Sequence, residues 1–304
     1  MFRRKARTMS SHTPVMLHEA LDGLRVQEGK WYVDATFGRG GHTAAILQKG
    51  GKVIAVDHDD EAIAYGSVHF VKELEKGDIK LVHANFSELG TIPDTTTRKI
   101  TGILFDFGLN SVQLDTADRG FSFQQEAMLD MRMDKRLGVT AKDLVNALGR
   151  KELYDLLTTY AQEFRARTIV EALLRNRINK PIETTTELAE IVEKAVGGRK
   201  HPGDIHPATK TFMALRLVVN DELGSIERAL PTALDLLEDS GRLVTISFHE
   251  GEDRIVKHAM KTWEIEKKGT QLTKKPLEPS MEEQRENPRS RSAKLRIFVK
   301  GGVK

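Results

Sequence analysis

Cysteine is missing from all 304 residues, which excludes disulfides, a thiolate nucleophile and any cysteine-ligated zinc or iron–sulfur site. No two of the ten histidines stand four residues apart, so the chain has no His-x-x-x-His pair and no metal is expected. No apolar run approaches the ~18 residues that a membrane span needs; the longest are strand-sized, and a soluble protein with no membrane partner is expected. Charge of one sign is not in excess either. Lys and Arg number 47 against 44 Asp and Glu, a net +3, so a polyanionic partner would have to be met by a local basic face. No acid precedes Glu19, yet the basic opening Met1 to Ser11 has no apolar core of a secretory signal. It reads as a basic tail of a cytoplasmic protein, with a short mitochondrial presequence as the alternative.

With 39% hydrophobic residues the chain can bury a large core. From Trp31 to Asp106 short β-rich runs alternate with helical segments. Strands are predicted at Lys30 to Asp34, Val53 to Asp57, Ile79 to His83 and Gly102 to Asp106, with helices from His42 to Gln48 and Asp60 to Leu74. That alternation argues for βαβ units and a parallel sheet. The strands then stop. From about Thr140 to Gly198 the apolar period is helical, including a capping box at Thr184 and Glu187, an apolar face of Leu188, Ile191, Val192 and Ala195, and a Gly197-Gly198 stop. A helix from about Ala208 to Leu230, a strand from Arg242 to Phe248, a helix from Glu252 to Lys261 and a closing strand from Lys294 to Val299 resume the α/β pattern. Thr262 to Asn287 is polar and reads as loop with room for one strand.

The most informative stretch is Val33 to Thr43, in which a strand runs into Gly38-Arg39-Gly40-Gly41-His42, followed by a second strand that ends in Asp57. A glycine turn lets backbone approach a ligand, and the carboxylate nineteen residues after Gly38 can accept both ribose hydroxyls. The turn lacks the third glycine of G-x-G-x-x-G, and no Lys-Ser/Thr pair makes a P-loop. A nucleoside without phosphates therefore fits better than a dinucleotide, and S-adenosylmethionine fits best. Its ammonium group calls for acceptors such as Asp34 or Asp106, with a helix-cap or turn role as the alternative for Asp34, and its adenine for an apolar or aromatic wall.

At this point the chain resembles the ribosomal RNA small-subunit cytosine-N4 methyltransferases, the MraW/RsmH family. The resemblance is carried, in order, by His12 to Leu17, Asp34 to Thr43, Asp115 to Phe123, Leu129 to Asp134, His206 to Phe212, Ile246 to His249, Glu252 to Lys257 and Asn287 to Ser292. It implies a class I methyltransferase fold, α/β with a mainly parallel seven-stranded sheet and an inserted helical domain. Residues 12–115 and 206–304 would bind the cofactor, 116–205 would recognise the substrate, and 1–11 would be the tail. The implied reaction moves a methyl group from S-adenosylmethionine to the exocyclic N4 of one cytidine in the decoding region of 16S rRNA, with the small ribosomal subunit as partner. The oligomeric state is left open, a homodimer among the options. Cofactor contacts map onto Gly40, Gly41, His42, Asp57, Phe86, Asp106 and Gln113. The family's Asp-Leu-Gly-Val-Ser-Ser-Pro-Gln-Leu-Asp run is Asp106-Phe107-Gly108-Leu109-Asn110-Ser111-Val112-Gln113-Leu114-Asp115 here, so the loop facing the target base has lost a serine and a proline. A methyltransferase of another substrate and a non-catalytic RNA-binding assembly factor are the alternative readings.

An exocyclic cytosine amine is a poor nucleophile because its lone pair is delocalised, so the site must position it and accept its hydrogens. Asp106 and Asn110 are the catalytic candidates. A base taken from structured RNA needs an aromatic or Arg face. Phe121 and Phe123 could supply one, or could be core anchors. Arg119, Arg132, Lys210 and Arg216 complete the residues assigned to RNA, with an ion pair to Asp130 or Asp134 as the alternative for Arg132. Thr209, Lys210, Met213, Arg216 and Asn220 form a polar stripe opposite the apolar face of their helix, which could line the acceptor cleft or simply be solvated. Further cations gather at Arg165, Arg167, Arg175, Arg177, Lys180, Arg199 and Lys200, and at Arg289, Arg291, Lys294 and Arg296.

Overall fold

The structure is a computed structural model that describes residues 14–109, 111–198, 201 and 205–301. The predicted tail, and Asn110, Arg199, Lys200 and Asp204, lie outside the described residues. Seven strands form one sheet: β1 Trp31–Asp34, β2 Lys52–Asp57, β3 Ile79–His83, β4 Ile100–Asp106, β5 Leu237–Ser247, β6 Gly269–Gln271 and β7 Lys294–Lys300. Their order is β3-β2-β1-β4-β5-β7-β6, with β7 antiparallel to both of its neighbours and the pairings from β3 through β5 all parallel. This is the class I methyltransferase arrangement that the resemblance implied.

The inner strands are buried almost end to end because helices cover both faces of the sheet, so their sequences run apolar without alternating with polar residues. Successive residues still face opposite ways. Val33, Ile54, Val56, Ile103, Phe105 and Leu243 pack with Ile226, Leu230, Met260 and Trp263 on one face. Tyr32, Val53, Ala55, Leu104, Val244 and Ile246 pack with Leu21, Leu24 and Ile46 on the other. A third apolar cluster lies apart from the sheet and gathers the helices Ala141–Ala147, Arg150–Ala161, Ala166–Asn179 and Thr185–Val196. The capping box at Thr184 and Glu187 is present, and Gly197 ends that last helix in the left-handed conformation.

Three segments differ from the expectation. The predicted helix Asp60 to Leu74 breaks at Phe70, whose ring packs edge-on against Phe37 under the glycine turn. The predicted helix Ala208 to Leu230 is two helices, Thr209–Val219 and Glu222–Leu236, because Asp221 between them is left-handed with φ 45°. The first of the two joins the helical cluster through Phe212, Ala214, Leu215 and Val219 rather than the sheet. The polar segment after Thr262 holds β6 and also a short helix, Met281–Glu286.

Strand order reverses between β1 and β4, and open sheets bind ligands beyond the carboxyl ends of strands at such a point. A cleft enclosing about 1140 Å³ out to its open mouth lies there, walled by residues that follow β1, β2, β3, β4 and β5.

Candidate active site

The floor of the cleft is the turn after β1. Gly38 and Gly40 have φ of 53° and 71°. A Cβ on Gly40 would also collide with the rings of Phe37 and Phe70. Gly41 is needed for space: a Cβ there would run into Pro14, which crosses directly above it. The turn is anchored from below by Asp34, which is fully buried, accepts the Thr43 hydroxyl at 2.7 Å and the Thr36 N–H at 3.3 Å, and does not line the cleft. The sequence left Asp34 open between a ligand acceptor and a turn or helix-cap residue, and the structure uses it on the turn. Burial pushes its carboxyl up to about 6 against the bonds from Thr43 and Thr36.

Asp57 lines the cleft at the tip of β2, where it accepts the Gly38 N–H at 2.7 Å and the Asp59 N–H at 2.9 Å. The carboxylate thus locks the glycine turn as well as facing the ligand space, and burial raises its pKa. Phe86 lines the wall after β3, braced by Phe105 at 5.6 Å and Phe107 at 5.9 Å between ring centroids. His42 is buried with Nε2 3.1 Å from the Val15 carbonyl and Nδ1 3.9 Å from Asp106. Gln113 lines the cleft while its amide donates to Asp59 at 2.7 Å. Gly41, His42, Asp57, Phe86, Asp106 and Gln113 therefore meet around one space, and Gly40 shapes it from behind.

Asp106, at the end of β4, uses its N–H on the Thr36 hydroxyl at 2.7 Å. Its Oδ1 is buried and has no hydrogen-bond partner. Burial first, then the nearby charges of Asp34 and Glu252, hold its pKa well above the ordinary carboxylate value. An unsatisfied acceptor in a buried setting is costly unless a donor arrives. Opposite it, Glu252 accepts the N–H groups of Phe248 at 2.7 Å and His249 at 3.2 Å. His249 Nδ1 accepts the Gly251 N–H, so the ring proton sits on Nε2, which faces Glu252 at 3.1 Å. Burial acts to raise the pKa of Glu252, but the imidazole and the Phe248 N–H outweigh it and lower the value.

The far wall was read from the sequence only in part. Asn220, from the polar stripe offered as a lining of the acceptor cleft, does line it, together with Glu222, Ser225 and Met133, which the sequence did not offer, and Asn287 and Arg289 reach it from the carboxyl-terminal segment. Asn220 holds this wall together: its amide accepts the Met133 N–H at 2.7 Å and donates to the carbonyls of Met131 and Arg216. The adjacent Asn220-Asp221 pair, residues that favour breaks in helices, was the available signal.

Most residues assigned to RNA are committed elsewhere. Arg119 is only 6% exposed and is held by Asp59, by Glu61 and by the Met133 carbonyl, so it ties the helical region to the sheet and presents nothing to a polyanion. Phe121 is buried in the helical cluster and Phe123 packs on Phe212 and His206, which makes both anchors. Arg132 pairs with Asp130 and caps the carbonyls of Lys135 and Leu137. Arg216 forks onto Glu222, and Lys210 bonds the Gln162 carbonyl. Among the basic cluster, Arg177 caps the helix Ala141–Ala147 through the carbonyls of Val145 and Leu148, and Lys180 pairs with Glu187. Among the described residues no group of three or more His, Asp or Glu could hold a metal ion.

The family model of the MraW methylase family matches residues 9–301. A ribosomal RNA small subunit methyltransferase H from Coprothermobacter proteolyticus is 43% identical over 95% of this chain and 96% of its own. One from Sulfurihydrogenibium sp. is 44% identical over 95% of this chain and 99% of its own. Among solved structures, an rRNA methylase from Streptococcus thermophilus aligns over 97% of this chain and 100% of its own, at 14% identity and a TM-score of 0.44.

Proposed function

The chain belongs to the MraW methylase family, and we propose that it methylates the exocyclic N4 of one cytidine in the decoding region of 16S rRNA, on the small ribosomal subunit, with S-adenosylmethionine as donor. The observation that carries the reading is Asp106, which lines the cleft together with the glycine turn and whose buried Oδ1 has no hydrogen-bond partner. When bound, S-adenosylmethionine would supply a methyl carbon on a sulfonium sulfur as leaving group, and the amine that receives the methyl would give up one N–H proton, for which the Asp106 carboxylate is the candidate acceptor.

The residues present suit that donor. The Asp57 oxygens keep lone pairs beyond those given to Gly38 and Asp59 for ribose hydroxyls. Phe86, stiffened by two neighbouring rings, offers a wall for adenine. Gly41 and His42 border the methionine part, next to Asp106. Several buried carboxyl groups around the cleft favour a cation, since opposite charge in a low-dielectric setting interacts strongly. Asp106 offers Oδ1 to N–H hydrogens, those of the donor's ammonium and of the target amine, and Asn110 remains the second candidate on the amine side. Positioning of nitrogen, carbon and sulfur in line can supply ~7–11 kcal/mol without covalent chemistry.

The test is methyl transfer from labelled donor to small ribosomal subunits, followed by mass spectrometry of the digested RNA. N4-methylcytidine at one position is expected. Label confined to another nucleoside, or to protein, would refute the assignment.

A further inference from the structure

Among the described residues, Phe164 is the most exposed large apolar side chain, at 93%. It sits in the turn between the helices Arg150–Ala161 and Ala166–Asn179. This turn is well fixed. Gln162 is left-handed, its N–H and that of Glu163 bond back to Thr158 and Leu157 at 3.1 Å each, and the Glu163 carboxylate accepts the Arg165 N–H at 2.8 Å. The ring is therefore held out by a rigid support. Lys210 donates to the Gln162 carbonyl at 3.1 Å, which places its ammonium 5.0 Å from the centre of the Phe164 ring. A cation on one face leaves the other open. Arg165 and Arg167 follow it in sequence and are exposed, Arg165 with its guanidinium on the Val196 carbonyl at 2.9 Å, while the nearby acid Glu163 is engaged in the turn.

Lys210 also begins a path to the cleft. Lys210, Met213, Arg216 and Asn220 share one half of the helix Thr209–Val219 and its end, and Asn220 lines the cleft. At 1.5 Å per residue the two ends of that path lie about 15 Å apart, roughly four stacked nucleotides of a single strand. A single ring with a cation on one face falls far short of the apolar core that a stable dimer buries, whereas an exposed aromatic face backed by a cation suits single-stranded RNA.

We propose that Phe164, backed by Lys210, is a stacking platform for an unpaired base of the substrate RNA a few nucleotides from the target cytidine. The proposal rests on the rRNA reading above. Phe164 is exposed, so substitution leaves the fold intact. In steady-state transfer to small subunits, Phe164→Ala should raise KM on the order of tenfold or more, as expected for one lost base–aromatic stack, with kcat and donor affinity unchanged. Phe164→Trp should keep the parental KM, and its added fluorescence, above that of Trp31 and Trp263 in the parent, should be quenched by small-subunit RNA. A parental KM for Phe164→Ala, or an unquenched Phe164→Trp, overturns the proposal. So does a change of the free protein from dimer to monomer on Phe164→Ala, which would give the ring to a protein contact. If the parent transfers no methyl group, the functional reading fails, and the quench, which needs no turnover, decides the platform by itself.

Discussion

Replacement of Asp34 by asparagine tests the account of the glycine turn. The buried carboxyl titrates at about 6 in the fold against 3.8 as its reference value. The folded chain thus keeps a proton that the unfolded chain has already given up between these values, so this group's contribution to stability falls as pH rises through that window. Two pH units correspond to about 3 kcal/mol. The amide introduced would carry no charge, its carbonyl would still accept the Thr36 N–H, and the Thr43 hydroxyl can turn from donor to acceptor, while the Thr43 N–H loses its acceptor and offsets about 1 kcal/mol of the gain. Asp34→Asn should therefore stabilise the chain by up to about 2 kcal/mol at pH 8, and by roughly a third of that at pH 5. A chain of 304 residues has an unfolding entropy of about 0.6 kcal/mol per degree, so the gain at pH 8 is about 3 °C in Tm. Urea midpoints and thermal scans at both pH values measure it. Because the charge of Asp34 also helps to raise the pKa of Asp106, the variant should bind the donor down to lower pH than the parent. A variant less stable than the parent at pH 8, or a gain that does not change with pH, would refute the reasoning.

Donor affinity in the parent should weaken as pH falls through the raised pKa of Asp106, since a protonated carboxyl no longer attracts the ammonium group. Asp106→Asn should cost on the order of tenfold to a hundredfold in Kd and flatten that dependence, read by calorimetry across pH 5.5–8.5. Arg119→Met removes the buried partner of Asp59 and should cost about 3–5 kcal/mol of stability, while the salt dependence of RNA binding stays parental; a shallower salt slope would put the guanidinium on RNA after all.

The sheet was legible because its strands announce themselves by unbroken apolar runs, and the turn from Gly38 to Gly41 because few other sequences let backbone lie so close to a ligand. Asp57 followed from its place at the end of a strand, and Phe86 from the family resemblance. What could not be read was commitment. Arg119 looks in sequence like any exposed cation, and its engagement becomes visible only once Asp59 is seen to hold it. For Arg132 and Asp34 the sequence left two roles open, and the contacts with Asp130 and Thr43 decide for the ion pair and the turn. Asn220 was offered as a lining residue, but the rest of the far wall was missed because a helix was run straight through Asp221, where a left-handed residue lets Asn220 clamp the loop at Met131 and Met133. Phe164 went unread because the exposure of an aromatic ring is a property of the packed turn and not of the residue.

The Met16 N–H bonds the carboxylate of Glu283 across 267 positions of chain, and Asn287 and Arg289 line the same cleft as Val15. Translation therefore delivers one side of this rim 267 residues before the other. A nascent chain can assemble its first strands and their helices early, but the front rim stays unfinished until the segment through Arg289 has been added, and products that stop short of it lack a closed donor pocket.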